Sequence, residues 1–361
     1  MRRFSLFVVL LSGLALCHCT PERYNPADPA TPEFLQNQIL GCLTGNTCTN
    51  TTAAGDSGSG DGTGGTTTMG PPGNVYATGS AGVGISTDSG ATFSLITTAN
   101  GLVDNNTDNV FVDENGILIG TISGTSYSED NGASYSTILG SQAISMYRAN
   151  TVIYVGQSGG LFISTDNGQN FTQKTTGDGL GGNAVRQVFL DGSNLYVATD
   201  GGLSISTNGG TSFVNRTTAQ GLGDNSTRGV YASGLDVYVA TQGGLSISTD
   251  GGASFVNRTT AQGLGSNNIF GGLTFADNRL YAATQGGLSI STDGGASFVN
   301  RTTAQGLGNN ICRAIFVSSG GVIYVGTNGG LGISTDGGTT FVNRTTAEGL
   351  GDNTIDDVFV Y

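Results

Sequence analysis

STDGGASF, residues 248–255, is the stretch whose recurrence decides the fold. The same octapeptide stands at 291–298, and variants stand at 86–93 (STDSGATF), 128–135 (SEDNGASY), 164–171 (STDNGQNF), 206–213 (STNGGTSF) and 334–341 (STDGGTTF). Successive copies begin 42, 36, 42, 42, 43 and 43 residues apart. A period near 42 is that of one four-stranded propeller blade. Within one period an apolar run, Val188 to Leu190, precedes a turn at Asp191-Gly192-Ser193. A second strand follows at Leu195–Thr199, and a third at Leu203–Ser206 alternates as a half-buried strand does. The octapeptide then turns the chain into a fourth strand, Ser212 to Asn215.

The two ends of the array are out of phase, and that phase predicts how it closes. Residues 74–78 (NVYAT) match the second strand of the unit, whereas residues 357–361 (DVFVY) match the first. The C-terminal strand should therefore complete the blade begun near Asn74, leaving no open sheet end. The expected fold is all-β: a seven-bladed β-propeller of four-stranded antiparallel blades over residues 74–361, its ring closed by the C-terminal strand joining the N-terminal blade.

Composition narrows the function. Glycine supplies 62 of 361 residues without a collagen period, and 12 Tyr and 16 Phe argue against a wholly disordered chain. A net charge of −13 with no basic cluster excludes a nucleic-acid binder. Arg2 and Arg3 precede a 13-residue apolar run, Phe4 to Leu16, which is too short for a span of about 20 residues and suits a signal peptide. The string Leu14-Ala15-Leu16-Cys17 resembles the lipobox of bacterial lipoproteins. That resemblance implies removal of residues 1–16 and lipidation of Cys17, with Cys19 as the alternative. Removing both N-terminal Arg leaves 11 basic side chains against 26 acids, a net charge of −15.

Residues 17–73 read as a lipid-anchored, low-complexity tether. Pro21, Pro26, Pro29 and Pro32 stiffen its start, Thr31 to Leu43 has the pattern of a short helix, and Thr44 to Gly73 is nearly all Gly, Ser, Thr and Asp. Cys42 and Cys48 enclose a five-residue loop. The spacing leaves a disulfide between them, two unpaired thiols and an intermolecular bridge all open. Cys312 opens an apolar run and reads as a buried small hydrophobe.

The octapeptide resembles the Asp-box, or BNR repeat, of sialidases, sortilin-type receptors, a photosystem assembly factor and xyloglucan-cleaving propellers. Asp88, Asp130, Asp166, Asn208, Asp250, Asp293 and Asp336 occupy its acidic position. At such a turn the carboxylate accepts backbone N–H bonds, the following Gly takes positive φ, and the aromatic packs between sheets. The expected role is structural, and the resemblance places the turn away from the ligand face. Strings such as Gly101 to Asn105 continuing through Val110 to Thr121 are also similar to the propeller repeat of two-component sensor proteins.

Little catalytic machinery is legible. The propeller has three Glu (Glu114, Glu129 and Glu348) and no His, so His-based catalysis is not expected. No His or Cys cluster suggests a metal, and no cofactor is implied. The absence of Trp argues against extended polysaccharide binding. One constellation stands out. Stepping back two residues from Val110, Met146, Val188, Val230, Leu273, Ile315 and Val358 gives Asp108, Ile144, Arg186, Arg228, Gly271, Arg313 and Asp356. If the first strands are innermost, Asp108, Arg186, Arg228, Arg313 and Asp356 share one mouth of the central channel and could hold a small anion. The plainer reading is a set of solvated ion pairs.

The 36-residue interval shortens one connection to roughly Ile138–Gln142, predicting a notch in the rim. Asn-Arg-Thr strings at Asn215, Asn257, Asn300 and Asn343 read as strand-end residues more than glycosylation sites. Together these features describe a monomeric lipoprotein of the bacterial envelope, at the outer membrane or cell surface. Its membrane partner is the lipid anchor, and its propeller binds an envelope or extracellular protein or a small anionic ligand without catalysis. A sialidase-like glycoside hydrolase is the alternative reading, and an assembly factor for an envelope complex is the second alternative.

Overall fold

The computed structural model describes residues 73–361. The leader, the tether and Cys17, Cys19, Cys42 and Cys48 lie outside the described residues.

Each repeat folds into an antiparallel meander, giving seven four-stranded sheets among the described residues. Blade 4 shows the pattern with strands Val185–Asp191, Asn194–Thr199, Gly202–Ser206 and Val214–Arg216. The first strands of neighbouring blades pack on one another around the ring, so they are innermost. The outer strand begins at Val214, two residues later than the sequence pattern predicts, because Ser212 and Phe213 finish the octapeptide turn. Blade 1 draws on both ends of the propeller, in the order Val358–Val360, Val75–Gly79, Gly82–Ser86, Ser94–Ile96. Its closing register pairs Val75 with Val360, Tyr76 with Phe359 and Ala77 with Val358. The ring therefore closes as the phase of the repeats predicts.

A belt of aromatic side chains links the innermost strands. Phe111, Tyr147, Phe189 and Tyr231 touch in sequence, with ring centroids 5.3 to 6.2 Å apart. Phe359 continues the belt from Phe111 to Phe316. Blade 6 carries Thr274 opposite Tyr281, where blade 5 sets Tyr231 opposite Tyr238, and the next residue, Phe275, stacks on both of those blade-5 rings. Between blades 2 and 3 the fully buried Arg148 donates to Asp113 and to the Gly116 carbonyl, and lies over the Tyr127 ring. The sequence pattern alone did not reveal that pair.

The octapeptides build one turn seven times. In the copy at 248–255, Ser248 Oγ donates to Asp250 Oδ1 (2.6 Å) and accepts from the Gly252 N–H (2.9 Å). Asp250 also accepts from the Ser254 N–H (2.9 Å) and the Ser254 hydroxyl (2.6 Å). Asn208 reproduces the arrangement by accepting from the Ser212 N–H and donating to its hydroxyl, each at 2.9 Å. Gly295, at φ 88°, illustrates why glycine follows. A Cβ there would lie 2.3 Å from Cδ1 of Ile247 in the preceding blade, so the turn is also a packing surface. The closing aromatics Phe255, Phe298 and Phe341 are buried, while Phe93, Tyr135, Phe171 and Phe213 are half-buried.

The Asn-Arg-Thr strings fall at the ends of outer strands, where each Asn and Arg has a structural partner. Asn257 Nδ2 donates to the Gly243 carbonyl of its own blade (2.9 Å), and Arg258 Nε donates to the octapeptide carbonyl of Gly295 in the next (3.0 Å). Arg216, Arg301 and Arg344 make the same inter-blade bond to Gly252, Gly338 and Gly90.

These turns give the fold a defined acid sensitivity. Hydrogen bonds from the residue-92 hydroxyl and N–H hold Asp88 below the ordinary carboxylate range. Equivalent donors lower Asp250, Asp293 and Asp336, and bring Asp130 and Asp166 to about 2. A folded-state pKa below the unfolded one stabilises above the unfolded value near 3.8, and that contribution is lost as pH falls through the folded pKa. Asp250→Asn combined with Asp293→Asn and Asp336→Asn is therefore expected to flatten the loss of stability between pH 4 and pH 2. Urea unfolding at each pH measures it, and slopes equal to the parent's would contradict this account of the turn.

Candidate functional site

The innermost strands begin at one mouth of the channel, at the end of the blades opposite the octapeptide turns. Most begin with an irregularity of one kind. The register skips Asp108 between Thr107 and Asn109, Arg186 between Val185 and Gln187, Arg228 between Thr227 and Gly229, and Arg313 between Cys312 and Ala314. Each is the extra residue of a β-bulge, which re-aims its side chain out of the blade. The residues before the bulges, Thr107, Val185, Thr227 and Cys312, are fully buried and anchor the chain there. Thr227 Oγ1, for example, donates to the Thr199 carbonyl (2.9 Å) and accepts from its N–H (2.8 Å). Burial also pushes the Cys312 thiol up to about 12.

Asp108, Arg186, Arg228, Arg313 and Asp356 line one cavity of about 350 Å³ at this mouth. Ile144 and Gly271 line it as well. Blade 6 departs from the expected pattern. Its bulge runs from Ile269 to Leu273, so the residue following the buried anchor Ile269 is Phe270, and Gly271 belongs to the bend. Phe270 lies beneath two guanidinium groups, with Arg228 5.7 Å and Arg313 5.5 Å from its ring centroid. The signal was the 43-residue spacing from Asp250 to Asp293, one longer than the preceding one, but spacing does not say where the extra residue sits. Gly229 lets the bulge close, since a Cβ there would lie 2.1 Å from the Gly271 carbonyl oxygen.

Just inside the mouth, side chains latch four of the innermost strands to the next. Asp357, Asn109, Ser145 and Gln187 accept from the N–H of Val110 (3.2 Å), Met146 (3.1 Å), Val188 (3.0 Å) and Val230 (2.6 Å). Gly229, Gly272 and Ala314 occupy the corresponding places in blades 5 to 7 and have no polar side chain to do so.

The electrostatics of the mouth are uneven. Arg313 donates to Asp356 (3.0 Å), and its Nε donates to Asn328. Among the described residues the only other ion pair is Arg148–Asp113, so neither Arg186 nor Arg228 has a carboxylate partner. Arg228 Nε is buried without a hydrogen-bond partner. Burial, then the neighbouring Arg186 charge, lower the Arg228 pKa. Burial pushes Asp356 up to about 6, with Arg313 opposing the rise and Asp108 adding to it. Burial likewise raises Asp108, whose carboxylate accepts from Gln142 Nε2 at 2.9 Å.

A second cavity of about 670 Å³ is lined by Tyr127, Glu129, Thr137, Ile138 and Asn167 among others, Ile138 standing at the start of the shortened connection. It lies among the octapeptide turns of blades 2 and 3 and shares no lining residue with the mouth, whereas Gln142, at the end of the shortened connection, lines the mouth. No 3-10 turn follows the outer strand Ser136–Leu139, whereas one follows the outer strand of every other blade among the described residues. Among the described residues no group of three His, Cys, Asp or Glu side chains could hold a metal ion.

No family model matches the chain, and no curated protein matches it. Among solved structures it is similar to the extracellular domain of a hybrid two component system from B. thetaiotaomicron, with 16% identity and a TM-score of 0.61 over 73% of this chain and 38% of that one. It is also similar to the GH74 xyloglucanase from Xanthomonas campestris (14% identity, TM-score 0.55, 80% of this chain and 52% of that one). A third likeness is to YCF48 bound to D1 peptide (16% identity, TM-score 0.51, 68% of this chain and 82% of that one). The chain thus spans 38% of the length of the first of these and about half of the second. At such identities the likeness is one of fold: this chain is a seven-bladed β-propeller.

Proposed function

We propose that this protein is a lipid-anchored binding module of the bacterial envelope whose channel mouth takes a small ligand through an anionic group. The single observation that carries the reading is the pair Arg186 and Arg228, side by side in a 350 Å³ cavity and without a carboxylate partner. Two guanidinium forks brought together without counter-charge repel one another, and a carboxylate or phosphate placed between them removes that penalty. The lipobox-like leader supports the envelope address, and the one reported neighbour that is an extracellular domain fits it.

Thermal unfolding of the full chain against acetate, propionate, phosphate, uronic acids and sialic acid tests the reading. A ligand at 100 times its Kd adds about 2.7 kcal/mol, a rise of a few degrees in Tm. The rise is expected to vanish in Arg228→Ala. No rise with any anion overturns the proposal.

A glycoside-hydrolase reading has one observation in its favour, the raised pKa of Asp356 in a cavity that also holds Asp108. The ion pair that ties Asp356 to Arg313 counts against a free proton donor. Turnover of aryl glycosides that is lost in Asp356→Asn would favour hydrolysis over binding.

A further inference from the structure

The charges at the mouth are segregated. From blade 7 round to blade 6 the mouth residues read Arg313, Asp356, Asp108, Ile144, Arg186, Arg228, Phe270. Arg313 and Asp356 are adjacent and neutralise one another at 3.0 Å. What is left over is a dipole. Asp108 on blade 2 has only the neutral amide of Gln142 as a hydrogen-bond partner, and Arg186 and Arg228 stand on blades 4 and 5 with no acid in reach. Blade 3 separates the poles and contributes an apolar side chain, Ile144.

The bulges keep the poles from collapsing onto each other. Each charged residue is fixed by a buried neighbour, Thr107 or Val185 or Thr227, so its Cα cannot travel. Asp108 at one pole and Arg228 at the other are also partly desolvated, since burial shifts each toward its neutral form, while Arg186 is exposed. A partly buried charge without a partner is costly, and the cost is relieved by a ligand charge of opposite sign. A simple anion relieves the Arg pole but leaves Asp108 facing it as a like charge. A simple cation has the converse difficulty. Like-charge juxtaposition is how sites reject near-miss ligands.

We infer that the mouth selects a zwitterion: a primary amine held by Asp108, a carboxylate forked between Arg186 and Arg228, and a short aliphatic spacer lying on Ile144. A cavity of about 350 Å³ suits a molecule of amino-acid to dipeptide size. This inference rests on the anion-binding reading of the same site and adds the identity of the second pole.

Calorimetric titration of the full chain with butyrate, butylamine, 4-aminobutyrate, 5-aminovalerate and glycylglycine tests it. At least one zwitterion is expected to bind tenfold or more tighter than butyrate, and butylamine is expected not to bind. Asp108→Asn, which retains an acceptor for Gln142, should bring the best zwitterion down to the affinity of butyrate without lowering Tm. Arg228→Gln should abolish binding of both. If butyrate binds as tightly as the zwitterions and Asp108→Asn changes neither, the zwitterion inference fails while the anion site stands. If no member of the series binds, both fail.

Discussion

Phe359→Ala is expected to destabilise the propeller by about 3–5 kcal/mol, and deletion of residues 357–361 to abolish its cooperative unfolding. The terminal strand is three residues long, yet it supplies the innermost strand of blade 1 and so pairs one end of the propeller with the other. Val358 and Phe359 are each 3% exposed, and their burial together is worth roughly 3–6 kcal/mol. The Phe359 ring sits 5.7 Å from Phe111 on blade 2 and 5.3 Å from Phe316 on blade 7, so one side chain packs against both flanking blades. Backbone bonds complete the latch, from the Asn74 N–H to the Tyr361 carbonyl (3.0 Å) and from the Thr78 N–H to the Asp357 carbonyl (3.0 Å). Without the strand, Val75–Gly79 becomes an unpaired inner edge and blade 1 has three strands. Phe275→Ala is the control: that ring is half-buried, stacks on blade 5 and closes nothing. Urea midpoints compare the two, and a Phe359→Ala loss no larger than that of Phe275→Ala would remove closure as the source of cohesion.

What the sequence could reveal of this arrangement follows from which physical signal repeats. The octapeptide is legible because its turn is local: Ser, Asp, Gly and the hydroxyl or amide four residues on satisfy one another within a few bonds, seven times over. The closure is legible because strand phase is carried by alternation, and the alternation at Val75 and at Val358 belongs to different strands of one unit. The first strand is read too short, at Val188 to Leu190 where Val185–Asp191 forms, and the bulge is the reason. Arg186 interrupts the alternation, so Val185 falls out of step with Val188 although both face the core.

The same interruption explains why the mouth is only half legible. A constant offset from Val110, Val188, Val230 and Ile315 finds Asp108, Arg186, Arg228 and Arg313, because each strand carries one bulged residue at the same place. It misses Phe270, because the blade-6 bulge spans more residues and the offset lands on Gly271. The latching side chains Asn109, Ser145, Gln187 and Asp357 share no residue type, so no motif marks them. They are chemically alike only as hydrogen-bond acceptors placed one residue inside the mouth residues Asp108, Ile144, Arg186 and Asp356.

Asp357→Asn is expected to make the protein more stable at pH 8 by an amount on the order of 2–4 kcal/mol, and to leave it unchanged at pH 4. Burial pushes the Asp357 carboxyl up to about 7, against the hydrogen bonds it accepts from the Val110 and Val358 N–H groups and the Asn109 amide. The nearby Asp356 carboxylate pushes it the same way. The folded protein therefore keeps this proton through a range where the unfolded chain, titrating near 3.8, has released it. Between those values the folded state binds more protons, so the contribution of Asp357 is greatest below pH 4 and falls away as pH rises through 7. That slope is opposite in sign to the one from the octapeptide carboxylates, which operates below pH 4. Asparagine keeps a carbonyl oxygen for the Val110 N–H (3.2 Å) and the Asn109 Nδ2 (2.5 Å) but has no charge to desolvate. Asp357→Ala removes the acceptor as well and should be less stable than the parent at pH 4, which separates the hydrogen bond from the charge. Urea midpoints at pH 4, 6 and 8 read both effects, and parallel curves for parent and Asp357→Asn would show that the buried carboxyl titrates as an ordinary one. The latch between blades 1 and 2, in the wall of the proposed binding cavity, therefore weakens as pH rises.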